Sequence, residues 1–211
     1  MKAIVLGSTG LVGGQLVKLL LDSNKFDKVR VLNRRPLGLS HPKLKEEIID
    51  FKNIDPIDVT ADFMFCCLGT TIKKAGSKAV FRKVDLDLPM SFARKFSSTE
   101  HQAFVVISAI GAKEDSMFFY NRVKGELEKE LKDLPLNKLI IVRPSLLLGD
   151  RSERRPGEDI GKFFAPLLKR ILPAKHSPIN AREVATAMLD LALTSKTQIG
   201  IENEIINSLG A

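Results

Sequence analysis

The stretch Lys2-Ala3-Ile4-Val5-Leu6-Gly7-Ser8-Thr9-Gly10-Leu11-Val12-Gly13 decides how this chain is read. Lys2 to Leu6 has the length and apolarity of a buried strand, and Leu11 to Asp22 carries apolar residues at helical spacing. Between them the chain turns on Gly7, Gly10 and Gly13. A dinucleotide pyrophosphate needs backbone N–H groups close to it and a helix N-terminus aimed at it, so side chains must be absent at the turn. Gly7, Ser8, Thr9, Gly10, Leu11, Val12 and Gly13 meet that need, and their place between a strand and a helix is what gives three glycines weight. The competing reading keeps the glycines for a tight turn and close helix packing alone.

Outward from this loop, short apolar runs alternate with longer amphipathic ones. Strands are expected at Lys28 to Leu32, Glu47 to Phe51, Phe63 to Cys67, Ala103 to Ile107 and Leu139 to Val142, and helices over Ser77 to Phe96 and Met117 to Leu131. This alternation predicts an α/β fold, a Rossmann-type doubly wound parallel sheet. After Val142 the pattern loosens into Arg143-Pro144, a charged loop from Asp150 to Glu158, and helices at Ile160 to Ile171 and Ala181 to Leu193. With 211 residues the chain has room for one sizeable core. We expect a single NAD(P)-binding domain over residues 1–211, with 1–142 as the cofactor-binding core and 143–211 as a small, helical, substrate-facing lobe.

Composition narrows the class. The formal charge is +8, but Lys and Arg are spread along the chain among Asp and Glu, and a phosphate-rich cofactor accounts for a positive bias as well as nucleic acid does. No zinc-finger spacing, RNA-recognition aromatic signature or basic arm is present, so nucleic acid is the minor hypothesis. The first residues are too short an apolar run for a signal peptide, and no stretch approaches the ~20 apolar residues that span a bilayer. A soluble, cytosolic protein without membrane contact is expected. The two cysteines, Cys66 and Cys67, are adjacent, so they read as buried thiols on opposite faces of a strand, with no metal site.

The residue that ends the second strand selects the cofactor, because an acid there accepts hydrogen bonds from an unphosphorylated ribose. This chain has Asn33-Arg34-Arg35 instead, and a guanidinium suits a 2′-phosphate. NADP(H) is favoured over NAD(H). The alternative is that the arginines only finish a surface turn before Pro36.

A proton-transfer centre is suggested farther along. Tyr120 is the only tyrosine in the chain, and Lys124 follows four residues later on the same helix face. A phenol is a poor acid or base at neutral pH, but an adjacent ammonium stabilises the phenolate. The spacing alone is weak; its position opening the helix after the fifth strand carries the argument. Ser108 ends that strand, where its hydroxyl can hydrogen-bond a substrate carbonyl or simply the local backbone.

On this frame the order Ser108, Tyr120, Lys124 resembles the short-chain dehydrogenases/reductases in their extended or atypical branch. The likeness narrows with Cys66-Cys67-Leu68-Gly69-Thr70-Thr71, Lys74-Ala75-Gly76, Val84-Asp85, Tyr120-x-x-Val123-Lys124-Gly125-Glu126, Arg143-Pro144 and the 150–158 segment, which together resemble the Tat-interacting NADPH-binding oxidoreductase family over nearly the whole chain. The resemblance implies a cofactor held by the glycine loop, the arginines after the second strand and Leu68-Gly69-Thr70. It makes Tyr120 the acid/base and Lys124 its activator and ribose ligand, and it places Pro144, Ser145 and Leu146 beside the nicotinamide. One departure stands out: the family often has two serines after the fifth strand, and this chain has Ser108-Ala109.

Other candidates carry less. Arg151, Arg154 and Arg155 offer an anion-binding edge or a solvated loop; His41, His101 and His176 lack any ligand-like spacing; Phe118 and Phe119 suit a pocket wall or the core. The leading expectation is an NADP(H)-dependent oxidoreductase acting on an unidentified small carbonyl or alcohol. An NADPH-sensing regulatory protein with little turnover and a nucleotide-sugar epimerase-like enzyme are the alternatives, and a protein partner or a homodimer is compatible with each.

Overall fold

A computed structural model of the chain describes residues 1–148, 177–194, 198–202 and 206. Seven parallel strands form one sheet: β1 (Lys2–Leu6), β2 (Lys28–Asn33), β3 (Leu44–Ile48), β4 (Phe63–Cys66), β5 (Ala103–Ile107), β6 (Leu139–Arg143) and β9 (Gln198–Glu202), in the order β3-β2-β1-β4-β5-β6-β9. A separate parallel pair joins β7 (Leu147–Leu148) to β8 (Ile179–Asn180). The order reverses beside β1, and in open α/β sheets ligands bind at the carboxyl ends of the strands at that switch. The expected α/β doubly wound architecture is what the chain adopts.

Strand alternation sorts the core into two layers. Ala3, Val5, Val29, Val31, Phe63 and Phe65 face one side, where they meet α1 (Leu11–Asp22) and α6 (Ala181–Leu193). Ile4, Leu6, Leu32, Met64 and Cys66 face the other, against α3 (Lys78–Arg82), α4 (Leu88–Ser97) and α5 (Phe119–Lys132). Both faces of the sheet are covered, as runs such as Phe63-Met64-Phe65 require. At the end of α1, the Lys43 ammonium donates to the carbonyls of Leu21 at 3.1 Å and Ser23 at 2.8 Å, a cation at the negative helix end.

Three sequence expectations shift. The third strand lies at Leu44–Ile48 rather than 47–51: it is an edge strand whose charged residues pair in the ladder, while Ile49 and Phe51 pack into the core just after it. The long helix expected from Ser77 to Phe96 is interrupted. Pro89 has no N–H for the carbonyl four residues back, that of Asp85, and its ring crowds it. The chain opens there into a π turn over Lys83–Asp87, with the Leu88 N–H reaching the Lys83 carbonyl. α5 begins at Phe119, two residues late. Ahead of α3, a short α2 (Ile72–Ala75) ends on Gly76.

Part of the expected tail is woven into these layers: α6 packs against α1, and β9 extends the sheet beside β6. Asn180 and Glu183 form a capping box that fixes where α6 starts. The expected helix at 160–171, the charged loop with Arg151, Arg154 and Arg155, and His176 lie outside the described residues.

Candidate functional site

The glycine loop is shaped by steric exclusion. Gly7 has φ +76°, and a Cβ there would lie 2.6 Å from the Cys67 carbonyl oxygen; a Cβ on Gly13 would lie 2.3 Å from the Gly7 oxygen. That oxygen accepts the Gly10 N–H at 2.9 Å and closes the turn. Gly10 caps α1 with no side-chain hydrogen bond, and no acid sits in the first turn. The positive helix end is therefore presented beside exposed Thr9 and Gly10, with Leu11 half-buried and Val12 in the core.

Ser8 and Asn33 brace this loop. The buried Ser8 hydroxyl donates to Asn33 Oδ1 at 2.6 Å. Asn33 Nδ2 donates to Glu46 at 2.8 Å, and the same carboxylate oxygen accepts the Leu37 N–H at 2.7 Å. Glu46 thus shapes the turn after β2, a role no sequence motif announced. Arg34 and Arg35 follow, exposed at the carboxyl edge.

Across the same edge stands the start of α5. Tyr120 is 37% exposed, its ring 5.6 Å from that of Phe81, which also packs on Phe119. One turn on, Lys124 is buried: its ammonium lies 2.9 Å from Asp85 Oδ1 and donates to the Ile107 carbonyl at 3.4 Å. Burial pulls the Lys124 pKa down, but attraction to Asp85 and to Tyr120 more than reverses this and leaves it raised. The other Asp85 oxygen accepts the Thr70 N–H at 2.8 Å, so the Leu68-Gly69-Thr70 loop and Lys124 share one carboxylate. Asp85 stands in the sequence only as part of Val84-Asp85, and the local sign that its helix opens there is Pro89 four residues later. Gly125 has a local reason as well: a Cβ would lie 2.2 Å from the Lys113 carbonyl carbon, where the loop after β5 crosses the helix.

Ser108 is placed differently from Tyr120 and Lys124. It is 2% exposed, and its hydroxyl donates to Glu128 at 2.5 Å. Glu128 in turn pairs with Arg143 at the end of β6, 2.9 Å from Nε and 2.5 Å from Nη2. Glu128 lies one turn beyond Lys124, so Tyr120, Lys124 and Glu128 form one stripe down α5. Pro144 is buried, the Ser145 hydroxyl donates to the Ser177 carbonyl, and Leu146 is 58% exposed. Phe118, just ahead of α5, is exposed, while Phe119 packs inward.

The remaining candidates have structural occupations. His101 accepts the Asn137 N–H on Nε2 and donates from Nδ1 to the Thr99 carbonyl. His41 Nδ1 accepts the Lys43 N–H. Cys66 and Cys67 face opposite core layers, and burial pushes the Cys66 thiol up to about 11. A cavity of about 330 Å³ lies at the opposite edge of the sheet, lined by Lys2, Asp62, Glu100 and His101. It has no helix N-terminus aimed into it, so the carboxyl edge is the better candidate. Among the described residues no group of His, Cys, Asp or Glu is arranged to hold a metal, and no helix is long and apolar enough to cross a membrane.

This geometry has relatives. The chain is 38% identical to Protein HTATIP2 of Rattus norvegicus, over 77% of this chain and 70% of that one, in line with the resemblance to the Tat-interacting oxidoreductases. It is 33% identical to Protein FMP52, mitochondrial, of Debaryomyces hansenii, over 94% of this chain and 90% of that one. The solved structure of human epimerase family protein SDR39U1 (isoform 2) with NADPH shares the fold, with a TM-score of 0.65 and 18% identity over 100% of this chain and 79% of that one. UDP-glucuronic acid 4-epimerase from Bacillus cereus does so with a TM-score of 0.71 and 13% identity over 94% and 76%. The mitochondrial names of several fungal relatives overturn the cytosolic expectation, which rested on the lack of long apolar runs, a feature that does not choose a compartment. The HIM1 family model matches residues 27–177, and the chain belongs to the HIM1 family.

Proposed function

We propose that this chain is an NADP(H)-dependent oxidoreductase acting on a small carbonyl or alcohol. The observation that carries the reading is one sheet edge with a side-chain-free helix N-terminus at one end and the Tyr120–Lys124 pair at the other. The close backbone packing at Gly7 and Gly13 turns the chain so that α1 opens at an exposed Gly10 with no capping side chain, which suits a pyrophosphate. Relatives of the fold are described with NADPH and with NAD, which supports a nicotinamide cofactor. Arg34, exposed just after β2 in place of an acid, favours NADP(H).

In this reading the chain is one domain in which residues 1–142 hold most of the cofactor and the start of the tail faces the substrate. The backbone of residues 7–13 grips the pyrophosphate, with Ser8 and Asn33 stiffening the loop. Arg34 and Arg35 take the 2′-phosphate, and Leu68, Gly69 and Thr70 line the path toward the ribose, which Lys124 orients. Pro144, Ser145 and Leu146 flank the nicotinamide, which supplies or accepts a hydride at C4. Tyr120 gives its hydroxyl proton to the substrate oxygen in reduction and takes it back in oxidation.

A second reading, an NADPH-binding sensor with little turnover, draws on Ser108: a hydroxyl committed to Glu128 is not offered to a substrate carbonyl. NADPH oxidation over a panel of small carbonyls, with the wild type and Tyr120→Phe, tests the proposal. We expect turnover by the wild type and a loss of about 100-fold or more in the variant, with NADPH binding unchanged. Equal rates remove Tyr120 from the chemistry. Tight binding without turnover by either protein favours the sensor.

A further inference from the structure

Lys124 does not stand alone beneath Tyr120, because a second buried charge touches it. Asp85 is 1% exposed, held in the π turn that Pro89 opens, with Oδ2 on the Thr70 N–H and Oδ1 2.9 Å from the Lys124 ammonium. Both carboxylate oxygens are thus engaged inside the fold, one by the ammonium and one by a backbone N–H. We propose that Asp85 is a positioning residue that divides its carboxylate between the 68–70 loop and Lys124, and so sets how much of the ammonium's charge reaches the Tyr120 phenol.

The electrostatics follow from the neighbours. A lone buried ammonium one helical turn from a phenol stabilises the phenolate strongly, since low-dielectric surroundings screen little. An ammonium already paired with a carboxylate presents a dipole instead, and the phenolate gains less. The other elements against Lys124 bring no compensating charge: β4 contributes the neutral Cys66 thiol and β5 the Ile107 carbonyl. On α5, Glu126 is paired with Arg82 of α3, and Glu128 with Arg143 of β6. Lys78 and Arg122 sit over the Phe119 ring. Asp85 is thus the carboxylate in ion-pair contact with Lys124 among the described residues. Through Thr70 the same carboxylate is tied to a loop on the proposed cofactor path, so a shift of that loop changes the pairing. The functional meaning rests on the reading of Tyr120 as acid/base; the test does not.

The chain has one tyrosine and no tryptophan, so the near-ultraviolet tyrosinate band reports Tyr120 alone. Alkaline titration of the full chain, without cofactor or substrate, compares the wild type with Asp85→Asn, which keeps an oxygen for the Thr70 N–H but loses the charge. The band is expected to rise at a pH lower by about one unit. Asp85→Ser, smaller and also neutral, should move it the same way, and Lys124→Met the opposite way. Cooperative thermal unfolding of each variant below the titration range establishes that it is folded. Neutral variants that titrate with the wild type overturn the proposal. NADPH binding plays no part, so this failure is distinct from failure of the cofactor reading.

Discussion

The two ends of the candidate site are built by opposite means. At the glycine loop the chain makes a binding surface by leaving side chains out, and backbone contacts at Gly7 and Gly13 allow no replacement. On α5 it makes one by putting charges in, with Tyr120, Lys124 and Glu128 in a stripe whose buried members are each paired to another element. A surface of absences is rigid and all-or-none. A surface of paired charges is adjustable, since removing one partner leaves the other active but unbalanced.

The difference is sharpest where a shared carboxylate is removed. Glu128→Ala removes the buried carboxylate that Arg143 and Ser108 share and should cost about 3 kcal/mol of stability, measured by urea unfolding. Ser108→Ala, which removes only one hydrogen bond to the same carboxylate, should cost about 1 kcal/mol. Equal losses would mean that Glu128 is not a paired charge. On the loop, Gly13→Ala places a methyl 2.3 Å from the Gly7 oxygen and should weaken NADPH binding by about 100-fold, read by cofactor fluorescence. A tolerant Gly13 would break the contrast at its rigid end.

Arg34→Asp tests the cofactor choice between these extremes. It should weaken NADPH binding by about tenfold and spare NADH. An unchanged preference removes Arg34 from the site. The smallest effect is expected from pH. The Lys124 pKa is raised in the fold, so the pair's stabilisation is complete below the ordinary lysine value of 10.5 and fades as pH climbs through the folded value. The stability advantage of the wild type over Lys124→Met should therefore shrink in alkali, and a constant gap would contradict the pairing.

The same contrast explains what was legible in the sequence. Glycines at 7, 10 and 13 after an apolar strand carry their reason in the residue type, and β1, α1, β5 and α6 lie where periodicity put them. Paired charges do not announce their partners. Lys124 was visible through its spacing to Tyr120, but Asp85 and Glu128 meet their partners only once the π turn and the strand ends are in place. Ser108 was legible as a strand-end hydroxyl, and its commitment to Glu128 was not. Pro89 was the one local sign that the helix before it had to open. The edge strand β3 lies earlier than expected because its pairing residues are charged, while Ile48 stands at its end and Ile49 beyond it.

The central claim is that both ends belong to one nicotinamide site. A crystal structure of the complex with NADPH tests it most directly. The account predicts the pyrophosphate on the backbone N–H groups at the start of α1, the 2′-phosphate near Arg34, and the nicotinamide beside Tyr120. Phosphates bound away from residues 7–13, or a nicotinamide turned from Tyr120, would contradict it.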